Sequence, residues 1–392
     1  MEKMTSFTIS GLPKIYFGSG QFQNLIPIIK SFGKNALLVT GKDSFLSSAR
    51  GSSFIDSVSQ SKLKIHKATI TGEPSPRVIN DIVKEFRKYP INVVVSIGGG
   101  SVIDAGKAIS AMLAEEGSVE EYLEGIGTRK PSGIKAPFVA VPTTAGTGSE
   151  TTKNAVISEI GINGYKKSLR HDNYMPDIAL VDPELSETCP FDITASCGLD
   201  AIAQLFESYT STNGNPFTDS LALSGLKSAC NCFDNLIESE MPDIRFREMM
   251  SYAAMISGIT LSQAGLGTIH GIAGPVGGFI SVPHGVVCGL LLPVVTERIV
   301  TTSIQTGNIQ LLKKIAIIGR ELTVDQSKEY SFYCKLVSDT FTRWSAQAKL
   351  PRLGAFGFTD EQLTHVINAS DNKSSPVSFS KSEITDILNL IK

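Results

Sequence analysis

Five histidines are spread over 392 residues, and two fall in one glycine-rich, apolar stretch, GLGTIHGIAGPVGGFISVPHGVVCG, residues 265–289. His270 and His284 are each followed by glycine and have few polar neighbours in sequence. Imidazole is a common ligand for zinc and iron. The pair therefore reads either as part of a metal site or, more plainly, as two hydrogen-bonded core histidines. A metal site also needs a carboxylate. Asp200 lies in an amphipathic helix starting near Thr194, whose apolar face carries Leu199, Ile202, Ala203, Phe206 and Tyr209. Asp200 borders that face, and Gln204 follows one turn later on the same side. The plain reading of those two is an i, i+4 contact. The sharper one groups Asp200, His270 and His284 around one divalent ion. Two histidines and one carboxylate suit Fe(II), with zinc or manganese as alternatives.

A second kind of chemistry is written in two loops. VVVSIGGGSVIDAGKAI takes a buried strand into Gly99, Gly100 and Ser101 and then into a helix. Glycines allow close backbone approach, and the free N–H groups of a helix start attract phosphate. The pattern is neither GxGxxG nor a P-loop, and a tight strand–helix turn would also explain it. VPTTAGTGSETT, residues 141–152, follows another apolar strand with a run of hydroxyls. That is where open α/β sheets bind ligands, although a capped helix start reads similarly. Two such loops in one sheet favour a dinucleotide.

The elements that must position these residues change character near Asp182–Pro190. Before it, apolar runs at Ala36–Thr40, Lys64–Ile70, Val93–Ile97, Phe138–Pro142 and Ile178–Val181 read as strands. Helical stretches such as Arg77–Lys88 and Ile103–Ala114 separate them, which argues for a doubly wound parallel sheet. After it, the patterns are helical: Ser220–Ile237, Arg245–Ala264, Val295–Thr301 and Ile309–Leu322. The expected division is an α/β domain over 1–188 and a helical domain over 189–392.

Composition narrows the function classes. A net charge of −2 with no basic run argues against nucleic acid, and 42% hydrophobic with 19% charged residues is globular. The densest apolar stretch, Val286–Val295, is broken by Gly289 and Pro293 and is too short to span a bilayer. The opening MEKMTSFTIS lacks the apolar core of a secretory leader. Six scattered cysteines with no CxxC pair read as structural thiols of a reducing compartment, the cytoplasm.

In order and spacing, GGGSVIDAGKAI, VPTTAGTGSE, GLDAIAQ and HGIAGPVGGFISVPHG resemble the iron-containing (group III) alcohol dehydrogenases. The resemblance runs from about Gly11 to the C-terminal helices. It implies a dehydroquinate-synthase-like fold, with a Rossmann-like dinucleotide-binding α/β domain, a helical domain and an active site between them. It also implies a homodimer acting on a small alcohol or aldehyde. Gly99, Gly100 and Ser101 would bind pyrophosphate, with Asp104 nearby. Thr143, Thr144 and Thr147 would hold phosphate, ribose or nicotinamide, and Lys167 and Leu180 match further cofactor contacts. Asp200, His270 and His284 match three of four metal ligands.

Three positions depart from or qualify the pattern. Gln204 stands where the family motif has the fourth ligand, a histidine; an amide oxygen binds metal more weakly. Gly274 stands where many members carry a further histidine used in proton transfer. Gly41 follows the strand Ala36–Thr40 where NAD-preferring members tend to have aspartate. Glycine leaves room for a 2′-phosphate, which Lys42 or Ser44 would contact, so NADP is favoured over NAD. The rival readings are a related enzyme acting on a polyol or phosphorylated substrate, a non-haem iron oxygenase, and a non-catalytic binding protein with a decayed site.

Overall fold

The structure, a computed structural model, describes residues 6–161, 163–239 and 242–392. Met1–Thr5, part of the opening read above for a leader, lie outside the described residues. The strands are β1 Lys14–Phe17, β2 Asn35–Gly41, β3 Lys64–Ile70, β4 Val93–Gly98, β5 Phe138–Pro142, β6 Asn154–Glu159, β7 Tyr165–Arg170 and β8 Ile178–Val181. Helices α1 Leu25–Phe32, α2 Ala49–Ser59, α3 Pro76–Phe86 and α4 Gly100–Met112 lie among them. Six strands form one parallel sheet in the order β1-β8-β5-β4-β2-β3. β4 and β5 are buried along their whole length, as continuous Val/Ile runs covered on both faces must be.

That strand order locates the ligand crevice. From β2 the chain steps outward to β3, then returns to the other side of β2 as β4 and continues to β5. The direction reverses between β2 and β4, at whose carboxyl ends stand Gly41 and Gly99. Open α/β sheets bind ligands at such a switch point.

From Phe191 onward the described residues carry no strand. The α-helices are α5 Phe191–Thr210, α6 Pro216–Glu238, α7 Ile244–Ala264, α8 Thr268–Phe279, α9 His284–Gln305, α10 Ile309–Glu321, α11 Tyr330–Gln347, α12 Asp360–Ala369 and α13 Lys381–Ile391. The architecture is therefore the expected one, a parallel α/β half followed by a helical half. Two expectations need correction. α5 is not amphipathic: every residue from Gly198 to Thr210 is buried, because α6, α7 and α9 pack around it. The apolar stretch at Val286–Val295 belongs to a longer helix, α9, which by length and composition is long and apolar enough to cross a membrane. Here most of it is buried inside the fold, as in the core helix of a globular protein.

The sequence reading placed no element at β1, at the antiparallel hairpin β6–β7, or at several helices, among them α8, whose stretch is rich in glycine and holds Pro275. Glycine serves close approach between the two halves. A Cβ on Gly258 of α7 would sit 2.1 Å from the Gly148 carbonyl oxygen, in the threonine-rich loop after β5. Backbone cannot move aside cheaply, so Gly258→Ala should lower unfolding free energy by about 1–3 kcal/mol. Gly277 of α8 would meet only the movable end of Lys166, at 3.4 Å. Gly277→Ala should be neutral or stabilise by up to about 1 kcal/mol, because alanine is the better helix former. Urea unfolding midpoints of the two variants check this, and equal losses would contradict it.

Candidate functional site

α5 places Asp200, Gln204 and Glu207 on one face at i, i+4 and i+7, all at most 3% exposed. Such polar groups survive burial only with partners. His270, in the first turn of α8, supplies two. Its Nε2 lies 3.2 Å from Asp200 Oδ1, and its Nδ1 lies 2.7 Å from Glu207 Oε2. Glu207 Oε1 also accepts the Ile269 N–H at 2.6 Å, which ties the start of α8 to α5. A carboxylate on Nδ1 fixes the tautomer and turns Nε2 into a donor atom for a cation, the usual arrangement behind a metal-binding histidine.

His284 opens α9 with its Nε2 4.0 Å from Asp200 Oδ1. One turn on, the buried Cys288 Sγ lies 3.6 Å from the Nε2 atoms of both His270 and His284. The ligand atoms of Asp200, His270, His284 and Cys288 all fall within 4.8 Å of one another. Gln204 lies beside them: its Nε2 donates to Asp200 Oδ2 at 3.1 Å, and its Oε1 accepts from Ser257 Oγ at 2.9 Å. The amide thereby orients the carboxylate, and its oxygen keeps one lone pair.

Without a cation, the two carboxylates keep His270 protonated, so a binding cation would have to displace its Nε2 proton. Burial pushes the Asp200 carboxyl up, but the bond from His270 and the neighbouring histidines overcome it and hold it at about 2. Burial, with help from the Lys166 ammonium, pushes His284 down to about 3, which keeps its nitrogens free of protons beyond the neutral form. Burial also disfavours His270 imidazolium, but the Cys288 sulfur, Asp200 and Glu207 around it raise it well above its usual value. A buried carboxylate, two imidazoles and a sulfur pointing at one spot fit a divalent cation by donor chemistry.

The other predicted residues line a cleft beside this cluster. Gly99, Gly100, Ser101, Thr143, Thr144 and Thr147 share a cavity of about 1300 Å³ with Asp200 and His284. A Cβ on Gly100 would meet Thr147 Cγ2 at 2.6 Å, so the two loops touch where a phosphate would lie. A smaller cavity of about 720 Å³ shares Gly100, Ser101, Thr147 and His284, and adds Gln204, His270, Gly274 and Lys167. His284 thus stands where the two spaces meet.

Some predicted contacts fall elsewhere. The Leu180 side chain is fully buried in the core of the sheet, so only its backbone is available. Asp104 turns from the pyrophosphate turn toward the threonine-rich loop: it accepts from Ser149 Oγ and from the Val156 N–H. Gly41 ends β2 and Lys42 is exposed outside the cleft, whereas Ser44 lines it.

Sequence reading missed three residues. Glu207 was visible as the third polar residue at i, i+4, i+7 in a helix otherwise apolar, and Cys288 as a donor one turn after His284. Lys107 is 1% exposed, and its Nζ donates to Ser149 O at 2.8 Å, Thr152 Oγ1 at 2.8 Å and Asn154 O at 2.7 Å. It anchors the threonine-rich loop to α4. Since Glu207 acts through His270, Glu207→Gln should weaken divalent-metal affinity about 10–100-fold in competition with a chelator. Unchanged affinity would show that the carboxylate does not orient the imidazole.

Comparison with known proteins agrees with this geometry. The family model "Iron-containing alcohol dehydrogenase" matches residues 13–183, and "Fe-containing alcohol dehydrogenase family, C-terminal" matches residues 194–392. A probable alcohol dehydrogenase of Escherichia coli (strain K12) is 36% identical over 233 residues, 58% of this chain and 56% of that protein. The match thus spans little more than half of that relative's length. The NAD-dependent methanol dehydrogenase of Bacillus methanolicus is 33% identical over 75% of this chain and 78% of its own. A crystal structure of 1,3-propanediol oxidoreductase superposes with a TM-score of 0.86 and 25% identity, covering 99% of this chain and all of that one (100%). Two family models in sequence order, relatives spread along the chain and a shared fold lead to one conclusion: the chain belongs to the iron-containing alcohol dehydrogenase family.

Proposed function

We propose that the protein is a metal-dependent, nicotinamide-dependent alcohol dehydrogenase or aldehyde reductase acting on a small alcohol or aldehyde, in the cytoplasm and as a homodimer. The observation that carries this reading is one continuous cleft, from Gly99–Ser101 and Thr143–Thr147 to Asp200 and His284. The six free thiols fit a reducing compartment. In this reading the division near residue 188 leaves the dinucleotide to the first half and the metal and substrate to the second.

The N-terminus of α4, with Gly99, Gly100 and Ser101, binds the pyrophosphate through backbone N–H groups and the helix dipole. Thr143, Thr144 and Thr147 hold the ribose and phosphate hydroxyl and oxygen groups, and Lys107 keeps their loop in place. Lys167, at the rim of the smaller cavity, reaches toward the same cofactor. Asp200, His270 and His284 hold the cation, and Gln204 and Glu207 orient two of them. When bound, the cation supplies Lewis acidity at the substrate oxygen, and the dinucleotide supplies or accepts the hydride. Gly274 presents no side chain to the smaller cavity, so the proton of the alcohol leaves through that space rather than to a protein group at 274.

NADP is favoured over NAD. Gly41 bears no carboxylate at the end of β2, and Ser44 lines the cleft beside it, 3.7 Å from where a Cβ on Gly41 would stand. A second reading, a phosphorylated or otherwise anionic substrate, draws on Lys167 and Lys373 at the smaller cavity, whose other bases, Lys166 and Arg170, are paired with Glu73 and Glu124. Parallel assays with neutral and anionic aldehydes separate the two.

The expected kinetics are specific. Asp200→Ala and His284→Ala should each lower kcat/KM for aldehyde reduction by at least about 100-fold, a loss typical of removing electrostatic stabilisation of the transition state. Dinucleotide affinity, read by fluorescence, should change little. A loss below about tenfold in both variants would overturn the metal-dependent reading. Gly41→Asp should shift preference from NADPH toward NADH by about tenfold or more, through repulsion of the 2′-phosphate. An unchanged ratio would place cofactor selection elsewhere.

A further inference from the structure

Sulfur is the least expected donor in the cluster. Cys288 sits four residues after His284 on α9, which puts both on one face of the helix. Its Sγ is buried and aimed at the space bounded by Asp200 and the two imidazoles. Gln204, the expected fourth ligand, is hydrogen-bonded through both ends of its amide. Among the described His, Cys, Asp and Glu residues, Cys288 is the one that brings the group to four donors.

The distances support a bonded set rather than a chance neighbour. Zinc–sulfur bonds of about 2.3 Å and zinc–nitrogen bonds of about 2.0–2.1 Å at tetrahedral angles put S and N about 3.6 Å apart. Both Sγ to Nε2 distances are 3.6 Å. The same geometry puts nitrogen and oxygen ligands about 3.3 Å apart, against 3.2 Å for His270 Nε2 and 4.0 Å for His284 Nε2 from Asp200 Oδ1. As a plain hydrogen-bonding group the thiol would donate to one imidazole and accept from the other, both weakly; as a ligand it needs neither.

We infer that Cys288 is the fourth protein ligand, as a thiolate, of an Asp200–His270–His284–Cys288 site selective for zinc over iron. Gln204 becomes a positioning residue that holds Asp200 Oδ2. Cys288 gives up its S–H proton to solvent when the cation arrives, and the sulfur lone pair forms the new bond, so no oxidant or reductant is involved. Thiolate is the softest donor of the set and favours zinc. The inference rests on the metal-dependent reading above.

The test uses the full-length chain, stripped of metal and titrated with Co(II) under nitrogen. A cobalt–thiolate bond gives an intense near-ultraviolet charge-transfer band that oxygen and nitrogen ligands do not. The expected result is that band growing to about one cobalt per chain, absent in Cys288→Ser. Zinc-over-iron preference, measured by competition with each metal alone, should fall at least about tenfold in Cys288→Ser. Dinucleotide fluorescence confirms that the variant is folded. Cobalt bound by the wild-type chain without the band overturns the Cys288 ligand and leaves the metal reading standing. No cobalt uptake by the wild-type chain overturns both. The band persisting in Cys288→Ser assigns it to another thiol and also overturns the proposal.

Discussion

Two carboxylates on one buried face of α5 constrain much of what surrounds them. Asp200 and Glu207, 1% and 3% exposed, have left water and must be compensated by charge or hydrogen bonds. His270 lies between them and serves both, Gln204 fills the remaining oxygen of Asp200, and Ser257 completes the amide. α7, α8 and α9 each contribute to this arrangement, so the packing of the helical half and the shape of its reactive spot are one problem. Asp200, His270 and His284 all sit on core helices rather than on loops, which favours a rigid arrangement.

A parallel arrangement organises the other half. Lys107 is as buried as Asp200, and its ammonium is spent on the backbone and hydroxyls of the threonine-rich loop, with Asp104 beside it. Burial pulls that ammonium down to about 8, while Asp104 and Glu150 hold it up. The loop it anchors packs against α7 at Gly258. The buried ammonium thus fixes the threonine-rich loop to α4, and the Gly148–Gly258 contact sets that loop against the helical half.

Much of this was legible in sequence. The core strands are continuous Val/Ile runs, and the chemistry-bearing residues cluster in four motifs, so sheet, helices and the trio Asp200, His270 and His284 could be read directly. What failed did so for physical reasons. The hairpin β6–β7 has only the short apolar run Ala155–Ile157 in β6, and β7 is mostly polar, with adjacent lysines Lys166 and Lys167. α8 is rich in glycine and contains Pro275; Gly271 and Gly278 let the Asp371 and Tyr165 backbones approach it closely. Cys288 was set aside with the other cysteines because its meaning depends on atoms from α5 and α8 that only the fold brings within reach. Leu180 matches a cofactor contact in the family pattern, but its side chain lies in the core, which leaves its backbone for that contact.

The central claim is that a divalent cation occupies the spot where these donors converge. Metal content per chain, measured by mass spectrometry on protein purified anaerobically and without chelator, tests it most directly. The account predicts about one divalent transition-metal ion per wild-type chain and a near-total loss in the Asp200→Ala, His270→Ala double variant. A wild-type chain free of metal, even after incubation with zinc or ferrous ion, would contradict it.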